Sequence, residues 1–309
     1  MSWPCEALGS PIRRIPPETE GGLLPARQPT SLGIYKEVSS GNAQEGDMMP
    51  SWATHRVIGE LICGFHAHQI DRLVDQTFGH DASRYDADIL IEVVESVYAD
   101  YGEKGLCYFV LHHYLDRLAD ILVGEAAEAY ERRILMGARS DYAEIKEAVS
   151  RRLVCDPKNL LTLFIVDDPK KVSLALRVFY DRKKRRRIKA WEDKLQAAYS
   201  KLAKYERKEI VRLAIKRVLE GIYEHLDYVI YLVLIDVIAD KPATVSKIVN
   251  CIWMKIASYT YHRGLKMSTS VEKTKLIDDV VEFIEFLIRQ AQEGMEKEIE
   301  QSNDNQPLA

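Results

Sequence analysis

From Ser51 onward, apolar residues recur at intervals of three and four, as in the series Leu111, Leu115, Leu118 and Leu122. This is the spacing of an α-helix that buries one face. Capping-type residues and a few glycines and prolines separate the periodic segments, as at helix ends. The pattern predicts nine helices, over 51–78, 85–101, 105–137, 141–153, 157–166, 169–220, 222–239, 243–262 and 270–295.

Residues 226–239 are apolar on every side of the predicted helix. Their β-branched residues would also suit a strand, but a single strand would have no sheet to join, so we predict a buried central helix. The turn Gly137–Asp141 is the predicted boundary between two lobes. The predicted fold class is therefore all-α: a bundle of about nine helices in two lobes, with one long basic helix (169–220) and a buried apolar central helix.

Residues 1–50 differ from the rest of the chain, because they hold 7 of the 11 prolines and 6 of the 16 glycines without any apolar period. Such a segment buries too little apolar surface to offset its ordering entropy. We expect a disordered arm or a mis-called N-terminal extension that ends at Met48-Met49. The predicted lobes are then 51–138 and 139–295, followed by a disordered tail, 296–309.

Charge and composition narrow the class of protein. With 43 basic and 47 acidic residues, the formal net charge of −4 excludes a generally basic nucleic-acid coat. No uncharged apolar run approaches the length of a transmembrane helix, so we expect no membrane partner. The five cysteines lack close pairing in sequence, which predicts reduced core thiols and a cytoplasmic location. No cofactor motif is recognisable, and we expect no cofactor.

The strongest chemical signal is a basic block inside the predicted helix 169–220. Residues 168–217 carry 18 Lys or Arg and 6 Asp or Glu, a net charge of +12. Consecutive cations on a helix point in all directions, which favours a polyanion over a single protein neighbour. The candidate nucleic-acid-binding residues are Arg182, Lys183, Lys184, Arg185, Arg186, Arg187 and Lys189. Ion pairing with the acid-rich segments 71–131 and 272–304, a solvated face and a nuclear-import address are the alternatives.

An apolar seam follows the basic block. Trp191, Leu195, Ala198, Leu202 and Tyr205 have the 4-3 spacing of a coiled coil over about two heptads. The spacing predicts a partner helix along Trp191, Leu195 and Leu202.

One motif occurs twice, as HQIDRLVD at 68–75 and HYLDRLAD at 113–120. In the first copy, His68, Asp71, Arg72 and Asp75 continue a core stripe, which predicts a buried ion-pair network or a site. In the second copy, His113, Asp116, Arg117 and Asp120 lie opposite the leucine stripe, which predicts a solvated face. The arginine in each copy favours ion pairs over a metal, because a guanidinium repels a cation. We therefore assign no metal ligand.

A further acidic pair, Asp236 and Asp240, lies about 120 residues after the second copy. Two acidic motifs at this separation on an all-helical chain resemble the class I isoprenoid synthases. That resemblance implies acidic clusters on facing helices that hold Mg²⁺ around a diphosphate. Neither motif here is an adjacent Asp-Asp pair. The residues of this enzyme alternative are Asp116, Asp120 and Asp236.

Weaker features give no assignment. Cys63 and His66 share a helix face, but no second ligand pair is near in sequence, so we predict a buried thiol. His112, His113 and His262 lack an acid or nucleophile at a telling spacing, and no catalytic residue is assigned. We predict a non-enzymatic helical protein that associates with nucleic acid or another polyanion. The alternatives are a metal-dependent enzyme acting on a diphosphate or phosphate ester, and a purely structural interaction scaffold.

Overall fold

The computed structural model describes residues 50–77, 86–136, 142–154, 159–166, 185–239, 245, 249 and 271–304. All regular structure in these ranges is helical, and none of their residues lies in a strand. The predicted all-α class is confirmed for this part of the chain. All described residues belong to one unit, Glu37–Ala309.

Eight α-helices lie in the described ranges, close to the predicted nine. They are α1 (Trp52–Cys63), α2 (His68–Arg72), α3 (Ala87–Met136), α4 (Tyr142–Val154), α5 (Arg185–Leu202), α6 (Lys208–Glu224), α7 (Leu226–Leu234) and α8 (Val271–Asp304). A 3-10 helix, Leu160–Phe164, replaces most of the predicted helix 157–166. Single π-helical turns follow α2 at Leu73–Thr77 and α7 at Ile235–Ala239.

The predicted helix 51–78 is wrong because the chain breaks at Gly64. This glycine takes the left-handed conformation, with φ 59° and ψ 34°, and its N–H bonds back to carbonyls of the last turn of α1. A glycine adopts that conformation without a Cβ clash, so it ends helices readily. The next helix, α2, starts only at His68. The core stripe of α1 therefore does not run on into the first copy of the repeated motif.

The longest helix, α3, is bent at Gly102, whose φ is 64° and ψ −153°. This bend confirms the predicted break between helices 85–101 and 105–137. Beyond the bend, every residue from 105 to 119 is buried. The middle of α3 is thus enclosed on all sides, and it has no solvated face of the kind predicted for the second motif copy.

The predicted long helix 169–220 is also wrong in its described part, since α5 ends at Leu202 and α6 begins at Lys208. No glycine or proline causes this break. Instead, side chains of the intervening loop bind Glu95 of α3: the Tyr205 hydroxyl donates to its carboxylate at 2.6 Å, and Arg207 at 2.7 Å. Tertiary contacts outweigh helix propensity here.

The seam of α5 packs inside the chain itself. Leu195 and Leu202 are buried in the common core, and α5 contacts α3 and the 3-10 helix. In the described part of the chain, helices of the same chain therefore cover these two leucines, and a separate partner helix stays a prediction.

Residues 226–234 form α7, which confirms a buried helix in place of a strand. The last helix extends further than predicted, because α8 continues to Asp304. The predicted disordered tail, 296–309, is therefore wrong for 296–304. The predicted lobe boundary at Gly137–Asp141 lies outside the described residues. Buried residues on both sides of it belong to one hydrophobic cluster, and the division into two lobes stays a prediction.

Helices α1 and α3 lie close together, and this contact positions the candidate site. A Cβ on Gly59 would lie 2.5 Å from a ring carbon of Tyr108, so only glycine permits the approach. Near this point Cys63 and Cys107 form a disulfide, with 5.8 Å between their Cα atoms. The predicted reduced thiols are wrong for this pair, and the predicted cytoplasmic location loses that support. No described helix has the length and apolar character needed to cross a membrane.

Candidate metal centre

Five ionisable side chains converge where α1, α3 and the segment from α2 to the first π turn meet. We call them the His–Asp cluster: His55, Asp71, Asp75, His112 and Asp116. Four of them are fully or almost fully buried, and only Asp75, with a quarter of its side chain exposed, reaches solvent. Buried charged residues are rare unless they are paired or bind a metal.

His55 lies in the first turn of α1. Its Nδ1 lies 2.9 Å from the carbonyl oxygen of Ser51, the residue that caps this helix. A carbonyl oxygen only accepts, so Nδ1 carries the proton. The other ring nitrogen, Nε2, points to Asp116 and lies 3.2 Å from its Oδ1.

His112 lies in the buried part of α3. Its Nδ1 is 3.4 Å from Asp71 Oδ1, and its Nε2 is 3.3 Å from Asp75 Oδ1 and 3.8 Å from Asp116 Oδ2. The His55 and His112 rings are stacked, with 3.9 Å between their centroids and an interplanar angle of 24°. Both histidines thus turn Nδ1 to an outer oxygen and Nε2 to the Asp116 carboxylate.

Asp71 orients its neighbours from a fully buried position. Its Oδ1 accepts a 2.6 Å hydrogen bond from the Tyr108 hydroxyl, and its Oδ2 lies 3.4 Å from Arg56 Nε. An Asp–His contact on the far side of a ring is the usual outer-shell support of a metal-ligating histidine.

Asp75 is placed by the π turn after α2. Its Oδ2 accepts a hydrogen bond from the indole N–H of Trp52, and its Oδ1 faces His112. Isolated π turns are rare and often occur at functional sites, because the extra residue redirects a side chain. Here the turn brings a carboxylate to the one edge of the cluster that solvent reaches.

The distances match the size of a metal site. His55, His112 and Asp116 each offer a ligand atom, and these atoms lie within 4.8 Å of one another. Two ligands about 2.1 Å from a tetrahedral ion stand about 3.4 Å apart. The measured 3.2 and 3.8 Å from Asp116 to the two histidines are close to that spacing.

The electrostatics favour ionised carboxylates. Burial alone would raise the pKa of Asp71, but interactions with His112 and Tyr108 outweigh it and hold the pKa below its usual range. Burial acts likewise on Asp75, where His112 and Trp52 bring the net pKa below the usual value. Burial lowers the pKa of His112, whereas Asp116, Asp71 and Asp75 raise it, to about 10 overall.

A second group of polar side chains, buried at Tyr142 and Asp227 and half-buried at Lys146 and Glu298, lies between α4, α7 and α8. We call it the Asp227 cluster: Tyr142, Lys146, Asp227 and Glu298. The Tyr142 hydroxyl donates to Asp227 Oδ1 at 2.8 Å and Lys146 Nζ to Oδ2 at 2.5 Å, while the Asp227 backbone N–H donates to Glu298 at 3.2 Å. Each Asp227 oxygen therefore has a donor.

The structure rearranges the residues of the repeated motif. In the first copy, His68 and Arg72 are exposed and only Asp71 is fully buried, so the predicted buried network is wrong for those two. In the second copy, His113, Asp116 and Arg117 are buried, so the predicted solvated face is wrong. The two copies differ from the prediction for separate reasons: α1 ends at Gly64 before the first copy, and α3 is enclosed around the second.

The three acids assigned to the diphosphate-enzyme hypothesis, Asp116, Asp120 and Asp236, do not form one cluster. Asp116 is in the cluster, whereas Asp120 pairs with Arg117. Asp236 accepts the backbone N–H of Ser51 and so adjoins the N-terminus of α1. Asp240 lies outside the described residues.

Sequence reasoning missed His55 and His112. A signal was present for His112, since an acid four residues on lies on the same helix face. His55 had none, because its neighbours in the cluster are distant in sequence. His66, paired in sequence with Cys63, instead contacts Glu60 at 2.5 Å.

The candidate nucleic-acid-binding residues stay a prediction. Arg182, Lys183 and Lys184 lie outside the described residues, and Arg185, Arg186, Arg187 and Lys189 lie at the start of α5. Two other cations of the basic segment pair with acidic residues of α3: Lys201 with Asp88 and Arg207 with Glu95.

Comparison with known proteins gives no match: no family model, no curated protein and no solved structure is significantly similar to the chain.

Proposed function

We propose that the His–Asp cluster binds one divalent transition-metal ion and that the chain is a metal-dependent hydrolytic enzyme. One observation carries the proposal. His55 Nε2 is buried beside Asp116, 3.2 Å from its Oδ1, yet it makes no hydrogen bond in the described part of the chain. Its Nδ1 already holds the ring proton on the Ser51 carbonyl, so a neutral His55 directs a lone pair toward a carboxylate.

An added proton or a cation would relieve that arrangement. The proton would lie on His55 or on Asp116, and the cation would lie between the imidazole and the carboxylate. A protonated ring would aim its N–H at the carboxylate oxygen. His55 Nε2 has no hydrogen-bond partner among the described residues although Asp116 Oδ1 is only 3.2 Å away, which favours two ligands of one ion.

The charges of the cluster support the same conclusion. Asp71, Asp75 and Asp116 contribute three negative charges, and Arg56, which contacts Asp71, contributes one positive charge. A divalent ion would bring this sum to zero with both histidines neutral, the form in which imidazole ligates metals. It would take the place of the proton that His112 holds without metal, since burial lowers the pKa of His112 but the three carboxylates raise it to about 10 overall.

The donor set indicates the kind of metal. Two imidazoles and a carboxylate suit Zn²⁺ and similar ions better than the Mg²⁺ of the diphosphate enzymes. Three protein ligands with a further open position are typical of catalytic zinc, whereas structural zinc has four. An ion held there would act as a Lewis acid and lower the pKa of a bound water.

The remaining groups have roles that follow from their contacts. Asp71 fixes the His112 ring through Nδ1, and Tyr108 and Arg56 fix Asp71. Asp75 is ionised at neutral pH and partly exposed. It can therefore act as a general base and accept a proton from the water that attacks the substrate. Trp52 holds the other Asp75 oxygen and thereby sets the orientation of the carboxylate.

The test is a hydrolysis assay on the full chain after chelation and reloading with Zn²⁺, Mn²⁺ or Mg²⁺. Nitrophenyl phosphate, the corresponding phosphodiester and nitrophenyl acetate are the probes. We expect turnover with Zn²⁺ or Mn²⁺ and none after chelation. His112→Gln should abolish it, whereas His66→Gln, an exposed histidine after the same helix α1, should not.

Asp75→Asn separates catalysis from binding. This variant should keep the metal and lose about 100-fold or more in kcat, the usual contribution of a general base. A metal-loaded protein that hydrolyses none of the three probes, or an Asp75→Asn variant as active as wild type, would contradict the enzymatic part of the proposal.

The nucleic-acid hypothesis remains a second candidate. Its support is that α5 starts at Arg185 and is anchored in the core through Leu195 and Leu202. Binding should weaken with salt at a log–log slope of roughly −4 to −5 for four to six phosphate contacts on duplex DNA. Gln at Arg182, Arg185, Arg186 and Lys189 should flatten this slope by about 3 units. If binding by the wild-type protein does not depend on salt, the nucleic-acid hypothesis is wrong, and the structural scaffold and the enzyme are the candidates that are left.

A further inference from the structure

The solvent-facing edge of the His–Asp cluster carries side chains with hydrogen-bond donors. Arg56 follows His55 on α1, and its side chain is 37% exposed. His68 opens α2 and is exposed. We propose that Arg56 and His68 form the substrate-binding rim of this site and that they bind the phosphoryl group of a phosphate ester. This inference rests on the proposed function, since it names the substrate class of the same site.

Arg56 is held in place by two contacts. Its Nε lies 3.4 Å from Asp71 Oδ2, and its Nη2 lies 3.1 Å from His68 Nδ1. In the described residues these are its only polar contacts, which leaves three of its five N–H groups for a ligand. Because Asp71 also contacts His112, the guanidinium is tied to a candidate metal ligand through one shared carboxylate.

The contact with Arg56 sets the tautomer of His68. A guanidinium only donates, so His68 Nδ1 must accept. The imidazole proton is then on Nε2, and the exposed ring presents an N–H donor. Trp52 packs edge-on against this ring, with centroids 4.7 Å apart, and binds Asp75 through its indole nitrogen. The same tryptophan therefore joins the rim to the cluster.

This rim is complementary to a phosphoryl group. Arg56 and His68 offer only donors, one of them permanently charged, and a phosphoryl group has several oxygens that only accept. Arginine beside a metal ion is a recurring arrangement for stabilising charge on a transferring phosphoryl group. A neutral ester or amide would leave the guanidinium unused.

The test measures inorganic phosphate as a competitive inhibitor and nitrophenyl phosphate as substrate, with the Zn²⁺-loaded full chain. Arg56→Gln should keep the metal, weaken phosphate inhibition and raise KM by about 10- to 100-fold, the equivalent of losing charge-assisted hydrogen bonds. His68→Ala, at an exposed position, should weaken both by about 3- to 10-fold. Arg151→Gln, an exposed arginine of α4 that pairs with Glu147, should change neither.

The outcomes separate this inference from the proposed function. If wild type binds no metal, the proposed function fails. If wild type binds metal but Arg56→Gln and His68→Ala inhibit and turn over like wild type, the rim assignment alone is overturned. If acetate or malonate competes as well as phosphate, the phosphate class is wrong. Should Arg56→Gln lose the metal, His68→Ala decides, because His68 contacts no residue of the cluster directly.

Discussion

The His–Asp cluster and the Asp227 cluster both bury carboxylates where a glycine lets a helix approach its neighbour. A Cβ on Gly59 would lie 2.5 Å from the Tyr108 ring, and one on Gly294 would lie 2.4 Å from Asp227 Cγ. The two clusters differ in their balance of donors and acceptors. Asp227 has a donor on each oxygen, whereas the His–Asp cluster sets three carboxylates around two imidazoles.

This difference makes the Asp227 cluster a structural contact and the His–Asp cluster a candidate metal-binding site. Burial of an acid is stable when donors satisfy it, as Tyr142 and Lys146 do for Asp227. In the His–Asp cluster, by contrast, the two histidines and Asp116 bring ligand atoms within 4.8 Å of one another, which is the spacing of a metal site. Substitutions in the two clusters should therefore have different effects on metal binding.

The largest effect should come from the disulfide, which joins α1 and α3 beside the His–Asp cluster. It closes a loop with a sequence separation of 44. Replacing both Cys63 and Cys107 by Ala should cost about 4 kcal/mol in free energy of unfolding, the loop-closure value for that length. Urea denaturation measures this loss in free energy of unfolding. The control is the wild-type protein unfolded and refolded in reductant, which lacks the disulfide but keeps both cysteines. A loss below about 1 kcal/mol would show that packing alone holds these helices together.

The two glycines should have similar effects on stability and different effects on metal. Gly59→Ala and Gly294→Ala should each cost about 1–3 kcal/mol through overpacking. Gly59→Ala should also weaken metal affinity by about 10-fold or more, because Tyr108 supports Asp71 behind His112. Thermal unfolding and metal titration give the two quantities.

Gly124→Ala is the matched control for both glycines. Gly124 lies within α3, and a Cβ there would meet nothing within 4 Å. This change should stabilise the chain by about 0.5–1 kcal/mol through helix propensity. Equal metal affinities for Gly59→Ala and Gly294→Ala would remove the distinction between the clusters.

The smallest effect is a pH dependence at the Asp227 cluster. Burial raises the pKa of Glu298, and the nearby Asp227 charge adds to this. Since the folded state favours the protonated acid, its ionisation reduces stability as pH rises from about 4.5 through the folded pKa. Glu298→Gln should remove this decline, and Glu300→Gln, at an exposed position of α8, should not. The measurement is the urea midpoint of unfolding at a series of pH values. If the midpoints of wild type and Glu298→Gln change with pH in parallel, the prediction is contradicted.

The helical spacing of apolar residues was enough to predict the fold class. It located α4 almost to the residue and identified α7 as a buried helix, because periodicity records which side of an element meets the core. The spacing failed where tertiary contacts decide. The break between α5 and α6 depends on Glu95, which lies more than 100 residues earlier.

The candidate site was predictable only in part. Asp71, Asp75 and Asp116 belong to the repeated motif, but the motif alone could not show which of its residues are buried. That depends on the end of α1 at Gly64 and on the enclosure of α3. His55 and the Cys63–Cys107 disulfide are set by the approach of α1 to α3, which no local pattern encodes.

The central claim is that the His–Asp cluster binds a metal and the Asp227 cluster does not. The most direct measurement is the Zn²⁺ content of the full chain by elemental analysis, after saturation and gel filtration. Wild type and Asp227→Asn should both retain about one ion per chain, whereas His55→Gln and His112→Gln should retain almost none, because a three-ligand site cannot lose one ligand and stay tight. A wild-type chain without Zn²⁺, or histidine variants that keep it, would contradict the account.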